Sequence, residues 1–115
     1  MSSVPDLSAM VPVATAAAAS SLVIKATPGQ LLHITLVTGA ASGYLMLFDA
    51  AAAPADGAVT PIWSAGVIAA LTPYTWQANA GPGIRFNTGI VAVFSSTGPF
   101  TKTASATAYI SALTV

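Results

Sequence analysis

The sequence predicts an all-β protein, an antiparallel β-sandwich of about seven or eight strands, jelly-roll-like or Ig-like, with an extended N-terminal arm. Three observations carry this. Short β-branched, aromatic and aliphatic runs are cut by Gly, Pro and Asn roughly every 8 to 12 residues from Ser21 onward. No internal repeat marks a solenoid or propeller. At 115 residues the chain has room for one domain and one core.

Residues 1–20, MSSVPDLSAMVPVATAAAAS, have no clean period of two, and Pro5 and Pro12 exclude a long helix through the early part. The alanine run 16–19 has high helix propensity, but isolated helices this short are marginal. Two readings stand: an arm anchored on a neighbour through Met10, Val11 and Val13, or a first strand of the chain's own sheet. The β domain is placed at 21–115.

From Ser21 the pattern is strand and turn. SLVIKAT is followed by Pro28-Gly29, which suits the centre of a type II turn because Pro presets φ and Gly accepts φ > 0. A hairpin to QLLHITLVT is expected, with Leu32, Ile34 and Leu36 on the core face and Leu31, His33, Thr35 and Val37 opposite. GAASG turns the chain into YLMLFD, apolar on both faces. Such a strand is covered on two sides, between sheets or between its sheet and another subunit, and this makes Met46 a candidate contact. PIWSAGVIAA, LTPYTWQAN, GPGIRFNTGIVAVFSST and TASATAYISALTV complete the strand series. Turn signals separate them at Leu71 to Pro73, Gly81 to Gly83, Asn87 to Gly89 and Gly98-Pro99. In the last strand either alternate face suits the core.

Charge narrows the function classes. Charged residues make up 5% of the chain and the formal net charge is zero. Soluble surfaces normally carry roughly 25–35% charged residues, and near-zero net charge favours association. Much of the exterior is therefore expected to be covered by neighbours, although Thr, Ser, Asn and Gln could solvate it instead. Lys25, Arg85 and Lys102 are too few for nonspecific nucleic-acid binding by one copy, which needs several phosphate contacts. The apolar stretch from Ala9 to Ile24 lacks a basic n-region and is broken by Pro12, so neither a signal peptide nor a membrane span is expected. A protein made in the cytoplasm follows from this reading.

Chemistry has little to build on. There is no Cys and no Glu, and the carboxylates are Asp6, Asp49 and Asp56. Asp49 ends a strand and Asp56 precedes Gly57, positions where short carboxylates shape turns by accepting backbone N–H bonds. His33 is the sole histidine, and no G-x-S-x-G elbow exposes a serine. GPG at 81–83 lacks Walker or Rossmann spacing. No catalytic residue, metal site or cofactor is expected. Trp63, Tyr74 and Trp76 could stack sugar rings, but Trp and Tyr are also enriched at interfaces.

Three passages, YLMLFDAAAAPADGAVTPIW, IRFNTGIVAVFSSTGPFT and ATAYISA, carry a resemblance. They are similar to small β-sandwich proteins of tailed bacteriophages and prophages. The shared features are Phe48-Asp49 at a strand end, the loop from Pro54 to Pro61, and the strand with Phe86, Gly89, Ile90 and Ser95. The resemblance runs from Ser21 to the C-terminus. It implies a virion component, with a capsid decoration or cement protein as the leading expectation: a homotrimer on the outer surface of the head, touching major capsid subunits. A tail- or fibre-associated sandwich binding host-surface carbohydrate is the alternative. The first 20 residues depart from the pattern. So does Met46, where relatives often carry a charge; a methionine makes that face more apolar and suits a more buried contact.

Overall fold

The computed structural model describes residues 10–78 and 83–115. Among these the strands are β1 Val11–Ala14, β2 Ser21–Lys25, β3 Gly29–Val37, β4 Gly43–Asp49, β5 Gly57–Ala58, β6 Trp63–Ile68, β7 Pro73–Gln77, β8 Ile84–Phe86, β9 Ile90–Ser95, β10 Thr101–Lys102 and β11 Tyr109–Thr114. All pairings are antiparallel. One sheet runs β1-β11-β3-β7 with β8 also on β3, the second runs β2-β9-β4-β6, and β5 and β10 form a small third ribbon. The fold is an all-β sandwich.

The order of strands separates the two expected topologies. β7 pairs with 33–37 of β3 and β8 with 29–31, so the two are one edge strand interrupted after Gln77. Counted that way, each of two sheets has four strands, and the chain changes sheet at every connection except β4 to β6. This is the double Greek key of a jelly roll.

Changing sheet so often overturns the expected hairpin. β2 pairs with β9 and β3 with β11, so SLVIK and GQLLHITLV lie in different sheets and Pro28 sits in the crossing between them. Gly29 is the first residue of β3, and only Gly57 and Gly83 among the described glycines have positive φ. What requires glycine at position 29 is space: a Cβ there would stand 2.6 Å from the Val115 carbonyl oxygen.

The alternation in β3 is also modified. Register slips between Leu113, opposite His33, and Thr114, opposite Leu31. A bulge of this kind places consecutive residues out of phase. Leu31 joins Ile34 and Leu36 in the central core, while Leu32 is buried outside that cluster. In β11 the inward residues are Ile110 and Ala112, with Ala108 just before the strand on the same side.

The core between the sheets is built from Leu31, Ile34 and Leu36 on one side and Leu45, Leu47, Ile90, Ala92 and Phe94 on the other. Each fully buried Leu, Ile or Phe contributes about 1.5–3 kcal/mol relative to exposure. A second apolar cluster lies on the far side of β4 and β9, where Met46, Phe48, Val91 and Val93 are buried. Val59 and Ala50, from the loop 50–62, pack on it. The β5–β10 ribbon pins that loop to the segment 97–104, so the chain covers this face itself.

Val11–Ala14 forms the edge strand beside β11, and Val13 packs on the core. The strand reading of the early segment therefore holds for these four residues, and the sandwich begins before Ser21. Met10 is half-buried beside it. Residues 1–9 lie outside the described residues, as do the first two glycine-turn positions, 81 and 82.

Candidate interaction surface

The polar groups singled out in the sequence serve the backbone. Asp49 ends β4 and accepts N–H bonds from Asn87 (3.1 Å), Thr88 (2.7 Å) and Gly89 (3.3 Å), fastening the turn between β8 and β9. These bonds, from Thr88 first and then Asn87, hold its carboxyl below the ordinary range. Asp56 does not cap its own turn. It accepts from Lys102 Nζ at 2.9 Å and from the Ala104 N–H at 3.2 Å. The Lys102 bond, followed by the Ala104 N–H, lowers its pKa as well. Gly57 follows at φ 126°, in the region that favours glycine.

His33 faces outward on β3 at half-burial, and the two described carboxylates are already engaged elsewhere. Among the described residues no group of three or more His, Cys, Asp or Glu comes together. Ser95 is buried, and its hydroxyl donates to the Thr97 carbonyl while accepting the Thr103 N–H at 2.9 Å. It ties the root of the covering segment and has no histidine partner. Every buried side-chain N or O among the described residues has a hydrogen-bond partner.

Three of the candidate contacts change standing once packed. Trp63 of β6 lies across the sandwich from Tyr74 and Trp76 of β7, with ring centroids 6.2 and 6.5 Å away and the rings tilted at 45° and 59°. Offset, tilted pairs at 4.5–7 Å are the favoured aromatic packing. All three are half-buried against the core, closing one open side of the sandwich. They form a packed cluster rather than a flat row of rings. Met46 moves furthest from expectation: it is fully buried within one chain, beneath the loop 50–62, so it offers no surface to a partner. The apolar pattern of β4 is explained by the chain's own covering segment, the one possibility that the sequence reading omitted. Val11 is 51% exposed at the sheet edge, and Val13 is half-buried.

The exposed apolar surface lies elsewhere. Pro73, Val37 and Tyr109 are directly opposite one another on three adjacent strands, and all three are exposed on the outer face of the β1-β11-β3-β7 sheet. The next outward row holds Thr75, Thr35, Ser111 and Ala14, with the Thr35 and Thr75 hydroxyls 3.2 Å apart. The third holds Gln77, His33, Leu113 and Pro12. No Lys, Arg, Asp or Glu occurs in these rows.

Just beyond Pro73, the β6–β7 turn carries Leu71, 80% exposed and at φ 56°. A leucine in the left-handed region costs roughly 1–2 kcal/mol. The turn is held by buried Thr38, which donates to the Ala69 carbonyl at 2.7 Å and accepts the Thr72 N–H at 2.8 Å; the Leu71 N–H reaches the Gly39 carbonyl. The sequence marked Leu71 only as part of a turn. Its signal was composition: a large aliphatic where Gly, Asn or Asp is the easy choice.

Neither a protein-family model, nor a curated protein, nor a solved structure matches the chain. Function must be read from this surface. Among the described residues no helix is long and apolar enough to cross a membrane.

Proposed function

We propose that this chain is a structural virion protein of a tailed phage or prophage, a decoration or cement protein that associates with itself and with major capsid subunits on the outer surface of the head. One observation carries the assembly part of the reading: three rows of an exposed four-stranded face contain no charged side chain, and one edge of it is apolar. Surfaces that stay in water are normally charged and mixed, while interface centres are depleted in charge. The virion part rests on the resemblance of the three quoted passages. Jelly rolls occur in viral capsid and lectin domains alike, so the fold supports the reading by analogy alone.

The test uses particles produced without the protein. Purified chain should bind them saturably, with a fixed copy number, and raise the temperature at which they release DNA. A chain with no affinity for such particles sinks the proposal.

The aromatic cluster keeps a second reading open, a tail or fibre domain that binds host-surface carbohydrate. Trp63, Tyr74 and Trp76 retain partial exposure at the sandwich margin. Under that reading Trp76→Ala abolishes host adsorption while particle stability is unchanged. Under the first reading adsorption survives.

A further inference from the structure

We infer that the outer face of the β1-β11-β3-β7 sheet is the surface by which one copy of this chain docks on a second copy, face against face. The inference rests on the proposed self-association and assigns it a surface and a symmetry.

Charge selects the occupant. Burying an ionised group against a neutral sheet with no countercharge is costly, and ordinary protein surfaces carry a charge at every third or fourth position. An uncharged partner surface is therefore required, and this face itself meets that requirement over all three rows, bounded by exposed Arg85 of β8 opposite Gln30. Its polar groups are suited to meeting their own kind. Thr35, Thr75 and Ser111 carry hydroxyls that donate and accept by rotation, so two copies can satisfy each other without a fixed donor–acceptor order. The other large exposed apolar side chains, Val23, Ile62, Val67 and Phe100 among them, are not aligned with one another across a ladder. On the second sheet the loop 50–62 covers the outer side of β4 and β9, leaving Val23 exposed on β2. Ile62 and Val67 belong to β6 and its approach, at a sheet edge rather than on a face.

A surface complementary to itself generates an isologous, twofold contact. The threefold arrangement expected from the sequence would require two different patches, and the exposed faces described here supply one. Leu71 stands at the rim, held rigid by Thr38, where an aliphatic tip adds contact without an ordering cost.

Two substitutions at one central, exposed position test this. Ser111 has no side-chain partner to lose among the described residues, so Ser111→Asp and Ser111→Lys should fold, as a thermal melt would establish. Sedimentation equilibrium over a wide concentration range should show wild-type dimers. Each variant alone should dimerise at least about tenfold more weakly, because like charges face each other. An equimolar mixture of the two should recover association, as one-to-one pairs. Val23→Asp, on the other sheet, should leave the dimer unchanged. A wild-type monomer at all concentrations, dimers indifferent to Ser111, or a mixture that fails to recover would each overturn the inference. Particle binding by a monomeric chain would defeat this inference and leave the virion reading standing; dimers without particle binding would do the opposite.

Discussion

Lys102 Nζ lies 2.9 Å from Asp56 Oδ1, and the pair is lopsided: the lysine side chain is 7% exposed and the carboxylate 54%. The same ammonium donates to the Pro54 carbonyl at 2.8 Å, so one lysine fastens both ends of the short stretch 54–56. The desolvation cost falls on the ammonium. Removing its partner is therefore worse than removing the ammonium itself. Asp56→Asn should lower the melting temperature more than Lys102→Met, which keeps the buried stem and deletes the charge. The double variant should recover much of the loss, and hydrogen exchange should show faster exchange at 97–104 in Asp56→Asn alone.

Acid should act through the same carboxylate and through Asp49. Both have folded pKa values below the ordinary value, Asp49 through the Thr88 and Asn87 N–H bonds and Asp56 chiefly through Lys102. A depressed folded pKa means the unfolded chain takes up protons first as pH falls. Stability should be level above about pH 5, decline as pH drops past the ordinary carboxylate value near 4, and finish falling below the folded values. Melts of the Asp49→Asn/Asp56→Asn variant should show a flatter acid limb than wild type. An equally steep limb would assign the decline to other groups.

Met46 separates internal packing from assembly. Met46→Ala should cost about 2–5 kcal/mol in chemical denaturation, the usual range for a buried methionine. The loss should not vary with protein concentration. A concentration-dependent loss would return Met46 to an interface.

Leu71→Asn should divide stability from association. Asn tolerates the left-handed region, and an exposed leucine gives up little burial, so the folded chain should gain up to about 1 kcal/mol. Dimerisation should weaken in the same variant. Thr38→Val is the complement: it strands the Ala69 carbonyl and Thr72 N–H and should destabilise by about 1–3 kcal/mol.

The strands were legible because each is written locally. Ile34 and Leu36, or Tyr74 and Trp76, announce an inward face through a period of two. Which strands pair was not legible. Pro28-Gly29 has the composition of a hairpin turn, yet it crosses between sheets, and nothing within ten residues of it encodes that β2 belongs with β9. Met46 misled for the same reason. Its apolar neighbours prove that something covers it, and the cover is a loop fastened by Lys102, 56 positions away in sequence, at Asp56 and Pro54. Val37 was visible as an outward residue and the facing of Tyr109 was left open; their alignment with Pro73 depends on a register that only the assembled sheet defines.

The interruption between β7 and β8 bears on how such a sticky molecule stays finite. A chain with few charges risks growing into fibres by adding strands to its sheet margins. Here the two margins of the β1-β11-β3-β7 sheet are poor templates. The edge strand on β3 is split into β7 and β8, with Gln77 opposite His33 and Ile84 opposite Leu31, while at the opposite margin Pro12 removes an N–H from β1. Sideways growth meets a split strand or a missing donor, whereas the proposed attachment through the broad face would close on itself.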